Sequence, residues 1–112
     1  MFYDATRNDH GFAYDPFKAL VAPRPIGWIS SISAAGVANL APYSYFNAMA
    51  QAPHYVVFGS GPWKHSVGNI EATGEFAVNL ATWDLREQMN QTSAHVPAHV
   101  DEFEMRGVVR IA

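Results

Sequence analysis

The segment Gly59-Ser60-Gly61-Pro62-Trp63-Lys64-His65-Ser66 is the stretch whose residue types and spacing look most like a site for chemistry. A short apolar run ends in a glycine-rich turn, and a helical pattern opens directly after it. Unpaired backbone N–H groups at a helix N-terminus favour a phosphate, and glycine lets the backbone come close. Lys64 and Ser66 would add a charge and a hydroxyl donor. The spacing departs from a Walker A loop, which needs Gly-Lys-Ser/Thr in succession. On spacing alone a plain strand-to-helix connection is the default, and phosphate binding is the sharper alternative.

A second segment, Asn39-Leu40-Ala41-Pro42-Tyr43-Ser44-Tyr45-Phe46-Asn47, mixes aromatics with small polar groups. A flat heteroaromatic ligand would suit it, with amides and hydroxyls at the ring edge and aromatic or aliphatic side chains on its faces. The plainer account, slightly favoured from the residues alone, is a core strand whose Ser and Asn satisfy local backbone groups. Arg24 stands between two prolines in a rigid extended stretch, presented to an anion, to a dimer contact or to nothing specific.

Other polar groups carry weaker signals. Of five histidines, His95 and His99 are separated by Pro97, which breaks the helix that would align them on a metal. His54, at a strand start, reads as a capping or surface residue. No Gly-x-Ser-x-Gly elbow marks a hydrolase. Asp101-Glu102-Glu104 reads as a solvated acidic face. The expectation is no metal site and no side chain acting as acid, base or nucleophile.

The elements that must position these groups are short. Asp15-Pro16 reads as an N-cap with proline at the first helical position, so Phe17 to Val21 is a single turn ended by Pro23 and Pro25. Ile26 to Ser33 alternates well enough for a strand, Ala34-Ala35-Gly36 turns the chain, and Val37 to Ala41 returns as its hairpin partner. Tyr55 to Phe58 is a continuous apolar run, which suits a strand buried on both faces. Lys64 to Thr73 places Val67 and Ile70 on one helical face, with Gly74 in the C-cap position. Phe76 to Leu80 is a further strand, and Thr82 caps a helix running to about Gln91. Strands outnumber helices. The fold class is therefore mostly β with decorating helices, a small barrel or sandwich.

Composition agrees with one folded domain spanning residues 1–112: 49% of the residues are hydrophobic and 15% charged. A net charge of -3 without a basic block argues against nucleic acid as partner. The absence of cysteine excludes disulfides, thiolate catalysis and Cys-based metal sites. No run approaches the roughly 18 apolar residues that span a bilayer, and the polar N-terminus does not read as a signal peptide. The default location is cytoplasmic, with no membrane partner.

Five stretches, in order, resemble the flavin reductase-like, FMN-binding split-barrel family, in the branch with an Arg-Pro-Ile motif. They are Ala22 through Ser31, Gly36 through Asn47, Lys64-His65-Ser66 with Asn69-Ile70, Gly74 through Leu80, and Met89 through Ala94 with Asp101 through Glu104. The resemblance implies a split barrel that binds FMN, usually as a homodimer with the cofactor near the subunit interface. Carried over by position, Trp28, Ile29, Ser30, Ser31, Ser44, Tyr45, Phe46 and Asn47 would contact the isoalloxazine and ribityl chain. Lys64 and Ser66 would take the phosphate.

The implied activity is hydride transfer from NAD(P)H to FMN, with reduced flavin passed to a monooxygenase or another electron-acceptor protein. Two other roles stay open: a flavoredoxin-like electron carrier that keeps its FMN, and a non-catalytic FMN-binding interaction module. Family members continue for many tens of residues beyond the position of Ala112, so the expectation is an incomplete barrel, from a truncated reading frame or a natural short variant.

Overall fold

The computed structural model describes residues 2–61 and 63–108. Its chain order is α1 (Phe17–Leu20), β1 (Gly27–Ile32), β2 (Ala38–Tyr43), β3 (Phe46–Gln51), β4 (His54–Phe58), α2 (His65–Thr73), β5 (Ala77–Asn79), a 3₁₀ turn (Trp83–Leu85), α3 (Arg86–Gln91) and α4 (Glu102–Arg106). The expectation of a mostly β chain with decorating helices holds.

β1 is the centre of an antiparallel three-stranded sheet in the order β2-β1-β5. Gly36 turns the β1–β2 hairpin with a positive φ of 82°, and Ser33 closes it: its N–H donates to Val37 O at 2.8 Å and its hydroxyl accepts from Val37 N–H at 3.0 Å. The register sets Trp28 against Pro42, Ser30 against Leu40 and Ile32 against Ala38. Because side chains alternate across a sheet, these form one face, and Ile29, Ser31, Asn39 and Tyr43 form the other.

The first face carries the core cluster Trp28, Ala38, Leu40 and Phe103, packed by Leu85 and Met89. Trp28 is 2% exposed, and its indole Nε1–H donates to Thr92 Oγ1 at 2.9 Å; Thr92 donates in turn to Met89 O. That link ties the central strand to the end of α3 without stranding a buried donor. The opposite face lies under α2, where Asn69 Nδ2 donates to Ser31 Oγ at 3.2 Å and Asn39 Nδ2 donates to Ser66 Oγ at 2.9 Å. Gly74, with φ 78°, ends α2 as the C-cap expected of it.

β3 and β4 form a separate two-stranded hairpin with a register shift between Ala48 and Ala50. Here two expectations are corrected. The Asn39–Asn47 segment divides between two strands, with β2 running on through Pro42, which an edge strand tolerates. Tyr55 to Phe58 does form a strand, but Tyr55, Val56 and Val57 are exposed; Phe58 packs against the Tyr43 and Phe76 rings, and among the described residues no layer covers those three. Continuous apolarity marks a strand made to be covered and does not say by what. The Cα radius of gyration is 16.3 Å, against about 13 Å for a closed domain of this length.

The acidic cluster is also corrected. Asp101 caps α4, its carboxylate accepting from the N–H groups of Phe103 and Glu104. Glu102 is buried, and its Oε2 accepts from Leu40 N–H at 2.6 Å on the outer edge of β2. A buried edge N–H needs an acceptor, and a carboxylate from α4 supplies it. Only Glu104 of the three matches the solvated face.

Candidate functional site

Two cavities open at the β2 edge and meet at Lys64. One, of about 420 Å³, runs between β2, the start of α2 and the loop after α3; Asn39, Tyr43, Trp63, Lys64, Ser66 and Thr92 are among its walls. The other, of about 440 Å³, lies between the β2–β3 corner and the turn after β4, and is walled by Ser44, Tyr45, Gly59, Ser60, Gly61 and Lys64. Pro42 and Tyr43 also border both.

The fold sets one cation, Lys64, at this junction, and the Glu102 carboxylate also lines the first cavity. Lys64 is the extended residue preceding α2 (φ -132°, ψ 166°), and no side chain caps the helix. Of the first-turn N–H groups, that of Val67 donates to Lys64 O at 3.0 Å, and those of His65 and Ser66 have no acceptor inside the helix. The Lys64 ammonium stands 5.5 Å from the centroid of the Tyr43 ring. Tyr43 is 4% exposed, and its hydroxyl has no hydrogen-bond partner among the described residues. A buried phenol without a partner costs stability unless something supplies one.

Tyr45 is held from behind. Arg24 donates from Nη1 to Lys18 O at 2.6 Å, and its guanidinium carbon lies 5.6 Å from the Tyr45 ring centroid. The Arg-Pro-Ile motif thus pins the end of α1 to a wall of the second cavity. Beside the three roles open to Arg24 from the sequence, an anion, a dimer contact or nothing specific, its contacts within the chain give it a fourth, positioning α1 and Tyr45.

The expected contact residues separate into groups. Ser44, Tyr45 and Lys64 converge on one cavity, and Ser66 joins Lys64 at the other. Ser66 is 1% exposed and bonded to Asn39, so its hydroxyl is set firmly in place. The Trp28 and Ile29 side chains face the interior. Ser30 and Ser31 border a third cavity of about 310 Å³ near Phe76 and Phe103, their hydroxyls accepting from Asn79 and Asn69. Phe46 packs on Gly27, and Asn47 is exposed with its Oδ1 accepting from Ala48 N–H. Pro62, part of the expected anion turn, lies outside the described residues. Tyr43, Trp63 and Thr92 are additions; Tyr43 lay within the aromatic-polar segment, Trp63 within the glycine-rich turn segment and Thr92 within the Met89–Ala94 stretch, but none was singled out as a contact.

The model of the flavin reductase-like domain matches residues 20–110. The chain belongs to that family. Relatives include an uncharacterized protein of Aquifex aeolicus, 34% identical over 96% of this chain and 58% of its own length. Another is an uncharacterized protein of Deinococcus radiodurans, 33% identical over 95% of this chain and 51% of its own length. Among solved structures, nitrilotriacetate monooxygenase component B from Bacillus cereus superposes with a TM-score of 0.79 at 28% identity, over 96% of this chain and 55% of that one. The 2-nitrobenzoate 2-nitroreductase of Pseudomonas fluorescens gives 0.79 at 27% identity, over 96% and 52%. The fold is that of the split-barrel flavin reductases, and the chain spans about half the length of the relatives it matches.

Proposed function

We propose that this flavin reductase-like domain binds FMN at the Lys64 junction and serves hydride transfer from NAD(P)H to it. The observation that carries this reading is the position of Lys64. It joins two cavities at the edge of β2, in a chain of this family. The flavin, when bound, supplies the redox chemistry by accepting a hydride from the nicotinamide.

The chain's own residues bind and orient. Lys64 and the start of α2 take the phosphate, with Ser66 directly behind them. Ser44 and Tyr45 meet the ring system, and Arg24 fixes Tyr45. Trp28, Ile29, Ser30 and Ser31 act as the rigid strand on which the site is built, and Phe46 and Asn47 border it from β3. No acid or base is required of the protein.

The name of the Bacillus cereus neighbour, a monooxygenase component, supports an oxygenase or another electron acceptor as the consumer of reduced flavin. The bare β3–β4 hairpin supports a homodimer. No helix among the described residues is long and apolar enough to cross a membrane, and a cytoplasmic location is part of the proposal.

The test is anaerobic addition of NADH or NADPH to the FMN-loaded protein. Loss of the oxidised flavin absorbance, at a rate above that of free FMN, is the expected result. Retention of oxidised flavin with both donors would remove the reductase reading and favour an electron carrier.

A further inference from the structure

A lysine is by itself a loose anchor for an anion. Its ammonium rides on a flexible four-carbon stem, and any contact it makes must first offset the rotamer freedom of that stem. In this chain a ring curtails that freedom. The Lys64 Nζ stands 5.5 Å from the Tyr43 ring centroid, within the roughly 6 Å reach of a cation–π contact. Tyr43 is the last residue of β2 and is buried, and such contacts are strongest where water is excluded.

The ring is itself braced. Phe58, the last residue of β4, packs on Tyr43 with centroids 4.8 Å apart and planes inclined at 53°. Phe76, just before β5, meets Phe58 edge to face at 5.3 Å. Separations of about 4.5–7 Å in tilted or T-shaped geometry are those that aromatic pairs prefer. Thus β2, β4 and the entry to β5 each give one ring to a row that ends at the Lys64 ammonium. Phe58 lines neither of the two cavities that meet at Lys64, so its side chain bears on the site through Tyr43. Glu102 also lines the first cavity, with its Oε2 accepting from Leu40 N–H at 2.6 Å on the edge of β2.

We propose that Tyr43 is a positioning residue: the face of its ring, braced by Phe58, holds the Lys64 ammonium at the junction of the cavities, and its hydroxyl takes no part. The inference rests on the reading of Lys64 as phosphate anchor made above. It accounts for a buried tyrosine whose hydroxyl has no partner among the described residues. What the site uses is the ring.

The test compares FMN with riboflavin on the wild-type chain, Tyr43→Phe, Tyr43→Leu and Phe58→Leu. Tyr43→Phe keeps the ring and should keep the wild-type preference for FMN within about twofold. Tyr43→Leu should cut that preference about three- to tenfold, and Phe58→Leu about two- to fourfold. The readout is the ratio of the two affinities, which a general loosening of the site leaves unmoved. A ratio unchanged in Tyr43→Leu, or lost equally in Tyr43→Phe, overturns the inference. A second measurement needs no flavin: the Tyr43 ring current should shift the Lys64 ε-methylene protons upfield in the NMR spectrum of the free chain. Lys64 is one of two lysines, so their loss in Lys64→Met identifies these signals. The shift should persist in Tyr43→Phe and vanish in Tyr43→Leu, and ordinary ε-methylene shifts in the wild type contradict the contact. A wild type without preference for FMN strikes at the flavin reading itself, and the ring-current shift still decides for or against Tyr43 as the seat of Lys64. If Tyr43→Leu does not fold, Phe58→Leu and the wild-type shift carry the test.

Discussion

Lys64 and Gly27 show how single positions set this site. Gly27 accepts no side chain: a Cβ there would lie 2.6 Å from Cγ and Cδ2 of Phe46 and 3.1 Å from its Cβ. The ring is met near its root, so rotation gives little relief. Gly27→Ala is expected to cost about 1–3 kcal/mol through overpacking, read as a lower midpoint in urea unfolding with unchanged slope. Thr92→Val keeps shape but removes the acceptor for the buried Trp28 indole N–H. The expected loss is about 1–3 kcal/mol, measured the same way. Arg24 could be noticed in the sequence because two prolines frame it. That its partners are Lys18 O and the Tyr45 ring could not, since both contacts depend on how α1 folds back on the β2–β3 corner.

Among elements, α2 and the β1–β2 hairpin were the most legible. Gly36 and Gly74 occupy the positive-φ positions that turn and C-cap geometry demand, and the β-branched and aromatic run of β1 has the composition of a strand. β3 was hidden because Pro42 and Ser44 look like strand breakers, while the chain uses them at an edge and a corner. α4 escaped notice for a related reason: five residues with two acidic side chains have the composition of a surface, and only the free N–H of Leu40 makes one of them interior. Glu102→Ala would leave that edge donor buried without its acceptor. The expected cost is about 1–3 kcal/mol, with faster hydrogen exchange at Leu40 than at Ile29 as the local signature. Equal protection at both amides would show that α4 does not guard the edge.

At the scale of the whole molecule, the β3–β4 hairpin governs behaviour. Met49 is 68% exposed and Val56 46% exposed among the described residues, on strands anchored to the rest of the fold through Phe46 and Phe58. Isolated two-stranded ribbons are marginal in water, and exposed apolar strands invite pairing. A homodimer through this hairpin is expected by sedimentation velocity, and the double substitution Met49→Lys with Val56→Lys is expected to shift the population to monomer. A wild-type chain that stays monomeric at high concentration would contradict that assembly. The walls of the candidate site are drawn from the sheet, the β2–β3 corner, α2 and the turn after β4. The proposed flavin would be held by elements far apart in sequence, and the proposed function depends on that hold.

The most direct test compares FMN with riboflavin, which lacks the phosphate, on the wild-type chain and on Lys64→Met. A charge-assisted contact of ordinary strength predicts that the wild type binds FMN at least about tenfold more tightly than riboflavin. Lys64→Met should erase most of that difference while leaving riboflavin unchanged. Equal affinity for the two flavins in the wild type, or a preference for FMN that survives Lys64→Met, would contradict the placement of the phosphate at Lys64.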